Sequence, residues 1–170
     1  MKWICKIFFI FYFIVTHSQE MTHYEDSLIS QLSLVHHEKD YDKSMEYNDQ
    51  FKKLLERVLK HSNSFKYNFD SLSKFMSTNT SPDNVFRIFN WNIQLNNQKQ
   101  FYECWILFSD QQIIKLKDLN REIPEIEYAT LKPETWLGAL YFNIIPVYRK
   151  NQTIYTLLGW DGNDMFSNKK

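Results

Sequence analysis

Phe86-Arg87-Ile88-Phe89-Asn90-Trp91-Asn92-Ile93-Gln94-Leu95 is the stretch on which the fold turns. Phe89, Trp91, Ile93 and Leu95 alternate with Asn90, Asn92 and Gln94, the period of two expected of a half-buried strand. Everything after this stretch keeps that character. Asn96-Asn97 turns the chain, and Phe101 to Phe108 is a nearly continuous aromatic and aliphatic strand. Ser109-Asp110-Gln111 turns it again into Ile113 to Leu116. A loop with Pro124 and Pro133 precedes a strand within Trp136 to Tyr148. Lys150-Asn151-Gln152 makes a hairpin tip, Thr153 to Trp160 returns, and Asp161-Gly162 offers a favoured turn pair.

Before Phe86 the spacing is helical. Leu28, Leu32 and Val35 recur at four and three, and Tyr47, Phe51, Leu54, Leu55 and Val58 make a stronger stripe. Lys52, Lys53, Glu56, Arg57 and Lys60 lie off that stripe, and the basic residues near its end suit the helix dipole. Asp70-Ser71-Leu72 to Met76 reads as one more short helical piece. Ser77 to Asn84 reads as a polar connector. Helices followed by consecutive strands on short turns predict an α+β domain, with two to three N-terminal helices packed on an antiparallel β-meander.

The first eighteen residues read differently. Lys2 and Lys6 form a basic start, Ile7 to Val15 is an uninterrupted apolar run, and Thr16 and Ser18 are small. That is the pattern of a cleavable signal peptide over residues 1–18, with the mature chain starting at Gln19. The apolar run is less than half of the roughly 20 residues a spanning helix needs, so no membrane span is expected after cleavage. The expected organisation is therefore a leader over 1–18, a helical segment over 19–80 and a β-rich segment over 81–170. The expected compartment is the periplasm, the cell surface or the medium.

Removing residues 1–18 takes away two lysines and no acid, leaving a formal charge of −2. A near-neutral surface of mixed charge gives nucleic acid no electrostatic footprint. Lysine outnumbers arginine sixteen to four and alanine occurs only at Ala129 and Ala139, the bias of an AT-rich bacterial genome. Cys104 alone follows the leader, so no internal disulfide is expected and a packed core must hold the fold. Three glycines exclude a glycine-rich phosphate cradle.

Catalytic constellations are sparse. His23, His36, His37 and His61 all precede the strands, and no histidine follows them. Cys104-Trp105 superficially resembles a cysteine-protease nucleophile, but a strand position beside Tyr102, Ile106 and Phe108 predicts a buried, inert thiol. Neighbouring helix positions point about 100° apart, so His36 and His37 cannot share one ion well. No metal and no cofactor are expected. Asp161-Gly162-Asn163-Asp164 carries part of a calcium-loop pattern without its distal glutamate. Trp91, Trp105, Trp136 and Trp160 read mainly as core, with an aromatic platform for sugars or peptides as the alternative. The candidate binding residues are thus Trp91, Trp136, Trp160, Asp161, Asn163 and Asp164, with no catalytic residue among them. Glu103, Asp110, Glu127, Glu134, Asp161 and Asp164 are the carboxylates from which a glycosidase-like pair would have to come.

Three segments carry a resemblance. Ser81-Pro82-Asp83 leading into Phe86 to Asn92, Trp136-Leu137-Gly138-Ala139-Leu140-Tyr141, and Tyr155 to Asn163 followed by Lys169-Lys170 resemble a family of uncharacterised exported proteins of Bacteroidetes, over about Phe65 to Lys170. The resemblance implies a compartment and no reaction. Family members of this type continue past the lysine pair with further strands, so a truncated product without independent function is one expectation. The leading expectation is an exported, non-catalytic protein that binds a glycan, a peptide or an envelope protein, and the alternative is a carboxylate-based hydrolase. Intact-mass measurement on envelope and medium fractions should give a species beginning at Gln19; a species retaining residues 1–18 would overturn the cleavage reading.

Overall fold

The computed structural model describes residues 2–94, 100–119 and 130–162, with the backbone alone for residues 2–18. The predicted class is the one observed: two helices, then an antiparallel four-stranded sheet. Helix α1 runs from Lys2 to His37 and α2 from Tyr41 to Leu59. On α1, Met21, Glu25, Leu28, Leu32 and Val35 are buried at alternating spacings of four and three. On α2 the buried face is Ser44, Asn48, Phe51, Leu55, Val58 and Leu59. Asp40 caps α2, its carboxylate accepting from the Lys43 N–H at 3.0 Å. Ser44 Oγ donates to the Val35 carbonyl at 3.0 Å and pins the two helices together. The third helical piece is a single 3₁₀ turn, Leu72–Lys74.

The sheet has the order β1-β2-β3-β4, all antiparallel: Ser77–Thr80, Phe86–Gln94, Gln100–Phe108 and Ile113–Lys117. A separate two-stranded hairpin, β5 (Leu140–Arg149) and β6 (Gln152–Trp160), lies beyond it. The meander is thus four strands plus a hairpin rather than one continuous run. A 3₁₀ turn at Pro133–Thr135 leads into the hairpin.

Two sequence expectations need correcting. The connector Ser77 to Asn84 contains strand β1, paired from Ser77↔Asn90 to Thr80↔Arg87. Only its second part is a turn, where Ser81 Oγ accepts from the Val85 and Phe86 N–H groups and Asn84 takes φ 57°. β1 has no apolar period because its Ser77 and Asn79 side chains are spent on hydrogen bonds to the Tyr141 carbonyl. Secondly, β2 is not half-buried. Its odd-numbered residues Phe89, Trp91 and Ile93 join Trp105 and Leu107 from β3 in a core with the helices. On the opposite face, Phe86, Ile88, Tyr102 and Cys104 pack with Trp136 and Ile144 in a second core under the hairpin. The molecule therefore has three layers: helices, sheet and hairpin.

Asn90 makes the second interface possible. Fully buried between sheet and hairpin, it donates to the Glu103 carbonyl at 2.8 Å and the Ala139 carbonyl at 3.0 Å. Its Oδ1 accepts from the Tyr141 N–H at 2.6 Å. Buried polar groups are tolerated when paired, and every polar atom of this amide has a partner. Replacing Asn90 with Leu keeps the branched outline of the side chain but strands those backbone groups, and should cost about 3 kcal/mol. Urea unfolding checks this: the midpoint should fall with an unchanged slope, whereas an unchanged midpoint would refute the role.

Candidate functional site

Trp91 and Trp136 do not reach the surface. Trp91 is 1% exposed in the helix-facing core, and its Nε1 donates to Asn48 Oδ1 at 2.9 Å. Trp136 is 7% exposed in the hairpin-facing core, and its Nε1 donates to Tyr141 Oη at 2.8 Å. The β2–β3 sheet stands between them, so a shared aromatic platform does not form. Trp105 is also core, with Lys115 Nζ 4.1 Å from its ring centroid. Trp160 alone of the four is open, at 45%.

Asp161 and Gly162 follow β6, and the rest of the turn expected there lies outside the described residues. Gly162 is buried, and its N–H donates to Tyr102 Oη at 2.8 Å. The Tyr102 phenol is raised above its ordinary range by burial, with the neighbouring Asp161 and Asp118 charges adding to the shift. Asn163 and Asp164, and with them most of the calcium-loop pattern, lie outside the described residues. Among the described residues no group of three His, Cys, Asp or Glu side chains is arranged to hold a metal ion. His37 Nδ1 lies 2.7 Å from the Ser33 carbonyl, while His36 bonds the backbone of Asn92, so the two rings diverge as their helix positions require. Burial lowers the His36 pKa, against the effect of that backbone bond.

The described carboxylates singled out in the sequence are each spent on a structural contact or open to solvent. Glu103 is buried and satisfied: it accepts from Asn48 Nδ2 at 3.1 Å and pairs with Lys52 Nζ at 3.0 Å. Burial opposes the Lys52 charge, but Asp49 and Glu103 outweigh it and hold its pKa above the usual lysine value. Asp118, missed in the sequence, is also buried and accepts from the Tyr102 N–H at 3.0 Å. Glu103 opposes Lys117 across the ladder, so by the alternation of a strand Asp118 belongs to the other face of the sheet. Asp110 is exposed and caps the turn at Gln112, and Glu134 is exposed in its 3₁₀ turn. Glu127 lies outside the described residues. Asp49 and Glu103 do come together, at the edge of a surface cavity, but both are held by the Lys52 ammonium between them, at 2.9 and 3.0 Å.

The three segments singled out at Phe86–Asn92, Trp136–Tyr141 and from Tyr155 on meet one another. Asn90 of the first holds Ala139 and Tyr141 of the second. The third pairs with the second in the hairpin, Leu140↔Trp160 and Tyr141↔Gly159. Gly138, at φ +80°, leaves a Cβ nowhere to go: it would sit 2.6 Å from the Tyr102 ring and 2.7 Å from the Asp118 carboxylate. These residues explain how the hairpin is attached; they do not form a reactive centre. No family model matches the chain, and no curated protein or solved structure matches it.

What the hairpin leaves open is its outer face. Ile144, Tyr155 and Leu157 turn inward to the second core. Ile145, Val147, Ile154 and Leu158 turn outward, each 38–43% exposed, around Thr156 and beside Trp160. Phe142 is 64% exposed at the bulge between Tyr141 and Asn143. Together they leave on the order of 500 Å² of apolar surface, at the upper end of what a monomer tolerates uncovered. Arg149, at the tip, is the one charged residue among the outward positions. A sequence reading misses this face because alternating Ile, Val and Leu look like core from either side.

Cys104 behaves as the sequence predicts. It is fully buried in β3, and burial raises its thiol far above the normal range. Thiol reagents should leave the leaderless protein untouched until denaturant opens it; rapid stoichiometric labelling of the native state would contradict this placement.

Proposed function

We propose that the chain is an exported, non-catalytic binding domain that recognises an envelope protein through the outer face of the β5–β6 hairpin. The observation carrying this reading is the run of exposed Ile145, Val147, Ile154, Leu158 and Trp160 on a strand pair whose inner face is already used. Buried apolar residues explain themselves by stability, whereas an exposed contiguous strip is retained against an aggregation hazard. The chemistry favours a polypeptide over a glycan. A sugar site needs an aromatic plate ringed by fixed donors and acceptors. Here aliphatic side chains dominate, and Thr156 and Asn143 are the only polar side chains among them apart from the tip pair Arg149 and Gln152.

Export is part of the proposal and rests on the leader pattern. Among the described residues no helix is long and apolar enough to cross a membrane. A glycosidase-like reading requires two carboxyl groups about 5–10 Å apart across a cleft, free to act as acid and base; Asp49 and Glu103 instead converge on the Lys52 ammonium, which ties up both.

A photoreactive benzophenone amino acid in place of Phe142 tests the proposal in intact cells. The expected result is one envelope polypeptide crosslinked from this position and again from position 145, lost when Leu158→Lys puts a charge into the strip, with the purified polypeptide binding the purified protein. Absence of any protein adduct, or retention on isolated cell-wall glycan unaffected by L158K, would overturn it.

A further inference from the structure

The two edges of the hairpin are built differently. Lys150 and Asn151 form a two-residue connection that closes on the pair Arg149↔Gln152. Such a connection closes on a hydrogen-bonded pair, and hydrogen-bonded and non-hydrogen-bonded pairs then alternate along the ladder. The even-numbered residues of β6 therefore turn their N–H and C=O groups to β5. Thr153, Tyr155, Leu157 and Gly159 turn theirs to the far edge, where no described strand pairs with them.

The same parity explains Pro146. It faces Tyr155 in a non-hydrogen-bonded pair, so the missing N–H falls on the outer edge of β5, where a proline is tolerated. The edge of β5 is thus guarded by Pro146 and by the bulge at Phe142. Natural edges are commonly blunted in this way, by proline, bulges and charge. β6 has none of these: Gln152-Thr153-Ile154-Tyr155-Thr156-Leu157-Leu158-Gly159-Trp160 holds no charge, no proline and no bulge over nine residues.

The sequence of β6 is also complementary to itself. In an antiparallel self-pairing centred on Thr156, Thr156 faces its own copy, Ile154 faces Leu158, and Gln152 faces Trp160. On the other face Tyr155 meets Leu157 and Thr153 meets Gly159. The odd-numbered residues, whose backbone groups point outward, become the hydrogen-bonded pairs. All nine residues find a partner and no like charges meet. We propose that β6 pairs antiparallel with β6 of a second copy of this chain, about a two-fold axis at Thr156, to make a four-stranded β5-β6-β6-β5 sheet. The pairing is isologous and closes on itself, so it ends at a dimer. It supplies about eight backbone hydrogen bonds. Its area is small, which places the dissociation constant in the micromolar range rather than below it. It also sets two apolar outer faces side by side, doubling the surface proposed above without depending on it.

Full-length protein, expressed with its own leader and purified from the fraction that contains it, serves for the test. Sedimentation across the micromolar range should show a monomer–dimer equilibrium. Thr156→Cys should form an interchain disulfide under mild oxidation, because a non-hydrogen-bonded antiparallel pair brings Cα atoms to about 4.5 Å, within disulfide reach. Cys104 is buried and does not compete. Leu158→Cys should not crosslink to itself, but should crosslink when mixed with Ile154→Cys, since those positions face each other across the axis. Thr156→Lys should weaken the dimer about tenfold or more by setting like charges opposite one another. These positions are on the open face, and circular dichroism confirms that each variant folds. A monomer at every concentration, larger aggregates instead of a dimer, or disulfides forming equally at all three positions would overturn the proposal. A dimer lost on alteration of Phe142, which lies on β5 away from the axis, but not of Thr156 would overturn it too, and would leave the outer face as the contact.

Discussion

One buried side-chain amide pairs backbone groups of both the second and the third layer of this molecule. Asn90 occupies a position where a strand ordinarily presents an apolar residue, and uses its amide as a backbone peptide would: one donor group to two carbonyls, one acceptor to an N–H. Tyr141, at the start of the hairpin, is served from both sides, its N–H by Asn90 and its carbonyl by Asn79 and Ser77. Main-chain groups that a loop would leave unpaired are thereby satisfied inside the protein, and the second core can close over them. Around that amide the third layer is held again, by the bridge of Trp136 to Asp118, the tight passage of Gly138 past Tyr102 and Asp118, and the contact of Gly162 with Tyr102.

The first core rests on buried polarity of another kind. Glu25 sits in the middle of the apolar face of α1, accepting from the Tyr67 hydroxyl at 2.7 Å and the Leu72 N–H at 2.8 Å. Arg87 lies between the rings of Phe69 and Phe89 and donates to the carbonyls of Tyr67 and Asn68. Burial pulls its guanidinium down to about 10, against the pull of Asp70 and Glu25. Asn48 joins Trp91 to Glu103 in the same manner. Glu25 and Arg87 fix the irregular segment around Tyr67 to Leu72 against regular elements, Asn48 ties α2 to the sheet, and in each case the partner lies far away in sequence.

That distance explains what the sequence could and could not convey. The stripes of α1 and α2 are legible because burial on one side leaves a period, and the strands at Phe86, Gln100, Ile113 and Gln152 are legible as alternating or continuous apolar runs between turns. β1 is not, since its reason for being a strand is the pairing of polar side chains with Tyr141. Asn90 and Asn92 read as solvent-facing because alternation says only that two faces differ, not that the second is dry. Trp91 and Trp136 carry the same letters they would carry in a binding platform; only the position of the sheet between them decides. Trp160 was legible as a surface candidate, whereas Ile145, Val147, Ile154 and Leu158 were not, since an uncovered aliphatic strand and a covered one are spelled alike.

The layered plan also sets an order of opening. β2 touches both cores and both neighbouring strands, so its amides can exchange with solvent only when the whole domain comes apart. The hairpin shares one core and is tied to the sheet around Tyr141 and Gly162 and by the Tyr155 hydroxyl, which donates to the Asp83 carboxylate at 2.6 Å. It can lift as a unit while the helices and the four-stranded sheet stay closed, a local excursion far smaller than global unfolding. Hydrogen exchange would thus divide the chain into a slow body and a faster flap. The apolar face proposed as the contact surface is carried on that flap.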